Sequence, residues 1–149
     1  MAGKIGLVAF IVVVLAVGLI IGATNIPGAW YQGLAKPPFN PPNWIFSPVW
    51  SALYIIIGIV GWRSWRGTDL SLKVLWAAQM GLNYLWSPSF FGLQNIALAT
   101  AIIIALMVTI IAFVARAFTA DRTSAWLFMP YLAWVSFATL LTVSILVLN

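Results

Sequence analysis

The sequence predicts an all-α integral membrane protein, a bundle of five transmembrane helices with a long Pro-rich loop between the first two. Three observations predict it. Of the 149 residues 64% are apolar and only 6% charged, against roughly 25% charged in a soluble domain. The charges fall in short groups: Lys4; Lys36; Arg63, Arg66, Asp69 and Lys73; and Arg116, Asp121 and Arg122. Between these groups lie charge-free stretches long enough for spans of ~20 residues. A water-soluble monomer is excluded, because the chain lacks the polar groups that would cover its surface. The net charge of +5 comes without a long basic run. It reads as an orientation signal and not as a nucleic-acid footprint.

The first helix is expected over 5–23, an apolar run behind Lys4. It is longer than the core of a signal peptide and no A-x-A site follows, so the segment is expected to remain as a span. Residues 24–45 form the long loop. Within it Pro37, Pro38, Pro41 and Pro42 surround Phe39 and Asn40, and four fixed φ angles stiffen the backbone. A loop of this length in a bundle is usually functional or disordered, and its aromatics argue against disorder. It reads as a rigid connector or as a lid. The second helix is expected over 46–65. The charge-free stretch 74–115 would measure ~60 Å as one helix, about twice the hydrocarbon thickness. Ser87-Pro88-Ser89 and Gly92-Leu93-Gln94-Asn95 are turn residues and split it into helices over 73–90 and 96–116. The fifth helix is expected over 125–148. Five crossings place Lys4, Arg63, Arg66, Lys73, Arg116 and Arg122 on one side and Lys36 alone on the other. The positive-inside rule then puts the N-terminus in the cytoplasm, with the C-terminus and the first loop outside.

Much chemistry is excluded by composition. With no Cys and no His there is no thiolate, no imidazole base, and neither of the usual haem axial ligands. Asp69 and Asp121 both lie in the basic short loops, so no ionisable group is expected in the hydrocarbon core. Ion-coupled transport and catalysis by a carboxylate pair are both disfavoured. What remains is nine Trp, nine Phe and four Tyr. Trp30, Tyr31, Trp62, Trp65 and Trp126 fit interfacial anchors. Others share helix faces: Trp50 with Tyr54; Gln79, Asn83, Trp86 and Phe90; Tyr131, Trp134 and Ala138. Such faces serve either core packing with interhelical hydrogen bonds, or an apolar pocket with sparse polar handles that suits a flat lipophilic ligand. The spacings leave both readings open. Lys36 is the one basic residue on the loop side that could meet an acidic group of such a ligand. Gly18 with Gly22, and Ala77 with Gly81, are small-xxx-small pairs that let helix backbones approach, within one chain or between two.

Three segments carry a family resemblance. Lys36-Pro37-Pro38-Phe39-Asn40-Pro41-Pro42-Asn43-Trp44-Ile45-Phe46, followed by Pro48-Val49-Trp50 and Leu53-Tyr54, resembles the signature of the tryptophan-rich sensory protein/translocator protein (TspO/MBR) family. Gln79-Met80-Gly81-Leu82-Asn83-Tyr84-Leu85-Trp86 with Phe90-Phe91 resembles its third helix, and the segment from Pro130 to Thr139 its fifth. The resemblance implies a five-helix bundle, usually dimeric, that binds porphyrins, haem-pathway intermediates, sterols and benzodiazepine-type drug ligands beneath the first loop. It implies pocket residues at Tyr31, Pro41, Trp50, Tyr54, Asn83, Trp86, Phe90, Trp134 and Ala138. To these the face analysis adds Gln79 and Lys36. No cofactor is implied, with a porphyrin (protoporphyrin IX or a haem-related one) as ligand. The family's animal members carry a sterol motif after the fifth-helix Ala-Thr. Here 140–149 contains neither Tyr nor a basic residue, which argues against high-affinity cholesterol binding and for a bacterial member in the inner membrane. The leading expectation is a receptor-like protein that binds tetrapyrroles and tunes their metabolism or transport, the macrocycle stacked between Trp50 and Trp134. The rival expectations are a light- and oxygen-dependent porphyrin-degrading enzyme using those two tryptophans, and a passive porphyrin or sterol transporter. The resemblance selects the third helix, with Ala77 and Gly81, as the homodimer seam.

Overall fold

The computed structural model describes residues 3–149. Among them every regular element is helical. The order is α1 (Lys4–Thr24), a short α2 (Ala29–Gln32), α3 (Asn43–Arg66), α4 (Leu70–Ser87), a π-helical turn (Pro88–Gly92), α5 (Ile96–Ala120), a short α6 (Arg122–Leu127) and α7 (Met129–Leu148). Four helical stretches are long and apolar enough to cross a membrane: α1, α3, α5, and α6–α7 taken as one stretch. By that measure α4 falls short, since its 18 residues include Lys73, Gln79 and Asn83. Length and composition therefore identify four spans, one fewer than the charge pattern predicts.

The apolar surface fits a lipid solvent. On α1, Ile5, Val8, Val12, Val13 and Ile20 are more than half exposed, a continuous greasy face that water would not tolerate. This surface, together with the spans, makes the chain an integral membrane protein. The middle of the core is α5. Ala99, Ile103, Leu106, Ile110, Phe113 and Ala117 are at most 1% exposed and recur at helical spacing, with α4 and α7 packed on either side.

Glycines set how closely α1 meets α3. A Cβ on Gly58 would stand 2.7 Å from the Ile11 Cα, and one on Gly61 would stand 2.5 Å from the Trp76 ring. At Gly58 α3 touches α1 backbone to backbone, and at Gly61 it receives the indole of α4. That indole donates to the Ile57 carbonyl at 3.0 Å, while Tyr84 of α4 donates to the Val14 carbonyl of α1 at 2.8 Å. Further along α1 the packing opens: a Cβ on Gly22 would meet nothing within 4 Å.

Local chemistry sets most helix ends, and it corrects several predicted limits. Asp69 accepts from the Leu72 amide and so starts α4 at Leu70, ahead of the predicted residue 73. Asn95 accepts from the Leu98 amide and starts α5; Asp121 does the same for α6 through Ser124. All three are side-chain N-caps. Pro88 does not break α4. Its helical φ and ψ carry the backbone into the π-turn, and the reversal comes later, where Gln94 adopts φ 53°. Likewise α3 starts at Asn43 and not at 46, and it carries Pro48 inside it, where the proline supplies no N–H to the carbonyl four residues back. Helix α5 runs four residues past the predicted end at 116. A short α6 precedes α7 where a single helix was expected.

The two aspartates also tie the charged end together. Arg63 of α3 donates to Asp121 through Nε at 3.1 Å and Nη2 at 2.9 Å, and Arg116 of α5 donates through Nε to Asp69 at 2.9 Å. The hydrogen bond from Arg116 holds the Asp69 carboxyl below the usual value of 3.8. At Asp121 burial pushes upward, but the bonds from Arg63 and Ser124 outweigh it and the net shift is downward.

Two predictions follow from this framework. Gly58→Ala should destabilise the detergent-solubilised protein by an amount typical of overpacking, about 1–3 kcal/mol, seen as a lower thermal midpoint, whereas Gly22→Ala should leave the midpoint nearly unchanged; equal midpoints for the two variants would show that the close approach at Gly58 is not limiting. Because both aspartates titrate lower when folded, their stabilisation is complete above the ordinary value of 3.8 and is lost as pH falls through the depressed folded values. A thermal-melt series from pH 6 downward should therefore stay level until about pH 4 and then fall, and Asp121→Asn should flatten part of that fall.

Candidate functional site

At the end of the molecule remote from these ion pairs, α1, α3, α4 with its π-turn, and α7 enclose a cavity of about 730 Å³. That lies within the range that holds drug-sized organic molecules. Each wall is a helix face. From α3 come Asn43, Phe46, Ser47, Trp50, Ser51 and Tyr54; from α7 come Phe137, Ala138, Leu141, Thr142 and Ile145. Both sets repeat every three or four residues, so one face of each helix looks inward. Helix α1 contributes Gly18, Leu19, Ile21 and Gly22, and the α4 end contributes Asn83, Trp86, Phe90 and Phe91. Gly18 is part of the floor: a Cβ there would fall 2.3 Å from the Tyr54 ring, so the tyrosine lies flat on α1.

The roof is aromatic. The π-turn projects Phe90 and Phe91, and α2 docks on them with Trp30–Phe90 at 5.7 Å and Tyr31–Phe91 at 5.3 Å, both edge to face. Widening the helix by a residue lets consecutive phenylalanines serve one cluster, and π-turns of this kind recur at functional sites. Burial of Tyr31 raises its hydroxyl pKa, partly countered by the hydrogen bond to Asn40. The loop is further tied to α7 by Asn149, whose side-chain amide accepts from the Ala35 N–H at 3.1 Å and donates to the Ala35 carbonyl at 2.9 Å.

Of the residues singled out from sequence, Tyr31, Trp50, Tyr54, Asn83, Trp86, Phe90 and Ala138 line this cavity, while Lys36, Pro41, Gln79 and Trp134 do not. The Lys36 ammonium donates to the Gln32 and Leu34 carbonyls and sits 4.5 Å over the Tyr31 ring, so it closes the loop upon itself. Pro41 lies in the same loop, its carbonyl accepting from Asn40. Gln79 is 0% exposed and accepts from Tyr131 at 2.7 Å, one layer behind the wall. Trp134 stands behind Trp50. Their rings meet at 6.4 Å and 88°, an edge-to-face contact with no slot between them, so the expected sandwich of a planar ligand between these two indoles is not the arrangement present. Phe46 and Phe137 flank the pair.

Missed by the sequence reading were Gly18, Gly22, Phe46, Ser47, Ser51, Leu141, Thr142 and Ile145. The α3 and α7 members were accessible by extending the faces of Trp50 and Ala138 by three or four residues. The α1 members carried no signal beyond their small size. Polar groups are few: Tyr54 donates to Asn83 at 2.9 Å, and Asn83 donates to Tyr131 at 2.7 Å. Three buried donors have no partner among the described residues: Gln79 Nε2, Trp86 Nε1 and Trp134 Nε1. No group of three His, Cys, Asp or Glu among the described residues could hold a metal ion. The cavity has the size and the aromatic lining of a site for a mostly apolar organic molecule, with a handful of polar groups at its wall.

The sequence comparisons agree in kind. A model of the TspO/MBR family matches residues 8–148. The chain is 41% identical over 149 aligned positions to a tryptophan-rich protein TspO of Archaeoglobus fulgidus, covering 96% of each chain. It is 39% identical to protein CrtK of Rhodobacter capsulatus, covering 86% of this chain and 83% of that one. To the human translocator protein it is 30% identical, over 85% of this chain and 80% of the other. With nearly its whole length matched, and the Pro-rich, third-helix and fifth-helix segments bordering one aromatic cavity, this chain belongs to the TspO/MBR family.

Proposed function

We propose that the protein is a receptor-like membrane protein that binds porphyrins, and related flat lipophilic molecules, in the cavity beneath the first loop, and so regulates tetrapyrrole metabolism or transport. The observation that carries this reading is the cavity itself: about 730 Å³ walled by Phe46, Trp50, Tyr54, Trp86, Phe90 and Phe137 with no charged side chain in its lining. Aromatic walls attract a planar macrocycle through offset and edge contacts. The absence of charge favours a ligand whose body is apolar and whose acidic groups lie at the mouth. Trp50 is the indole that meets such a ligand, and Trp134 acts through Trp50 by holding its ring from behind.

In the same reading α4 is the remaining span of a five-helix bundle. Its Gln79 and Asn83 point into the protein, which lowers its average hydropathy without exposing polar groups to lipid. The N-terminus is then cytoplasmic, the loop and cavity mouth lie outside, and the host membrane is a bacterial inner membrane. The lipid-facing side of α4 offers a homodimer seam. Leu70, Val74, Ala77, Gly81 and Leu85 follow one another at helical spacing and are all exposed, and a Cβ on Gly81 would meet nothing within the chain.

Titration of the purified protein with protoporphyrin IX, followed by tryptophan fluorescence, tests the binding. Trp50→Phe should weaken affinity roughly 2- to 12-fold, the range of an aromatic contact beyond simple burial. A folded Trp50→Phe/Trp134→Phe variant with unaltered affinity would reduce both residues to packing. Gly81→Leu should shift the solubilised species towards monomer by sedimentation, and an unchanged dimer would clear that face of the role.

A further inference from the structure

Tyr54 and Asn83, the polar pair of the cavity wall, are the visible end of a longer chain. Tyr54 Oη donates to Asn83 Oδ1 at 2.9 Å, Asn83 Nδ2 to Tyr131 Oη at 2.7 Å, and Tyr131 Oη to Gln79 Oε1 at 2.7 Å. All four residues are at most 8% exposed, and Gln79 and Tyr131 are fully enclosed. In this direction every hydroxyl hydrogen is committed inward, so Tyr54 presents only its lone pairs to the cavity. At the far end Gln79 Nε2 is left with no acceptor, which is the costly way to bury an amide.

Every link can run the other way without moving a heavy-atom position. With both amides turned over, Gln79 Nε2 donates to Tyr131, Tyr131 donates to Asn83 Oδ1, and Asn83 Nδ2 donates to Tyr54 Oη. The unsatisfied Gln79 donor is then used, an unpaired carbonyl oxygen takes its place, and the Tyr54 hydroxyl hydrogen is released into the cavity. No proton is gained or lost by the chain. An empty cavity, or a ligand that offers only a donor to Tyr54, favours the first direction. A ligand with an acceptor at the deep end favours the second.

We infer that the Gln79–Tyr131–Asn83 chain is a reversible polarity switch that sets whether Tyr54 donates to or accepts from the cavity ligand, and that it tunes the site towards ligands bearing a carbonyl or carboxylate oxygen. Gln79 is thus a positioning residue that acts on the ligand through Tyr54. The inference rests on the reading of the cavity as a ligand site.

Gln79→Met tests it. Without a glutamine acceptor, Tyr131 can donate only to Asn83, which fixes the chain in the reversed direction and leaves Tyr54 a permanent donor. In ligand-free protein this change should shift the infrared C–O stretches of two tyrosines, Tyr131, which loses its direct partner, and Tyr54, and Tyr54→Phe should remove the second shift while leaving the first. Binding is read with two macrocycles, protoporphyrin IX, which carries carboxylates, and etioporphyrin, which carries only alkyl groups. The ratio of their dissociation constants should move roughly three- to tenfold in favour of protoporphyrin IX, the range of one neutral hydrogen bond, and Tyr54→Phe should cancel that gain. Should Gln79→Met not fold, the wild-type protein gives the same answer: protoporphyrin IX, and not etioporphyrin, should shift the Tyr54 band. A ratio that stays fixed, or a tyrosine band that never moves while protoporphyrin IX binds, overturns the switch but leaves the site standing. If neither macrocycle binds, the tetrapyrrole reading falls, and the Tyr54 band in ligand-free Gln79→Met protein, the one that Tyr54→Phe removes, still decides the switch.

Discussion

A bilayer supplies no water to a stray polar group, and that constraint organises the structure. Most polar side chains within the helices find partners inside the chain, with Gln79 Nε2, Trp86 Nε1 and Trp134 Nε1 the buried exceptions among the described residues. Hydroxyls such as those of Thr139 and Thr142 fold back onto carbonyls one turn away. Trp76 and Tyr84 reach across to backbone carbonyls of α3 and α1. These last two bonds matter most, because hydrophobic attraction between helices is absent when the surrounding solvent is itself hydrocarbon. Close packing at Gly58 and Gly61, with one indole hydrogen bond beside it, holds three helices together where burial of apolar area contributes little.

The same constraint shapes the cavity. The helices are clamped tightly at one end, by glycine contacts within the bundle and by Arg63–Asp121 and Arg116–Asp69 at its charged edge. At the other end α1 departs from α3 beyond Gly18, and large aromatics span the gap without filling it. A void of this size left empty forfeits many dispersion contacts, so rigid walls are needed to keep it open. The roof supplies them: α2 rests on the π-turn, and Asn149 grips the loop backbone by both of its hydrogen-bonding groups.

Much of this was legible in the sequence, for physical reasons that differ from residue to residue. The charge groups mark helix ends because charges are expelled from hydrocarbon, and the faces of Trp50–Tyr54 and Asn83–Trp86–Phe90 mark the cavity because helical spacing is geometry. The turn residues around Pro88 and Gly92 marked the division of the stretch 74–115 into two helices, but not that the backbone widens into a π-turn at Pro88–Gly92 before it reverses. Lys36 misled through its charge: its position suggested an anionic ligand, but carbonyls at the end of the four-residue α2 stood closer. Gln79 and Trp134 share faces with true wall residues and yet lie one layer back. Periodicity gives the direction in which a side chain leaves its helix and not the depth of what it meets.

That distinction in depth gives the site its chemistry. In the proposed reading the wall presents mostly apolar aromatic surface, which distinguishes one flat molecule from another only weakly. The layer behind it is enclosed and polar. Trp134 pins the angle of Trp50 through an edge contact, and Tyr131, enclosed between Asn83 and Gln79, fixes where the amide of Asn83 stands. A substitution in the second layer should therefore change which ligand is preferred more than how tightly ligands bind on average, whereas a substitution in the wall should do the reverse.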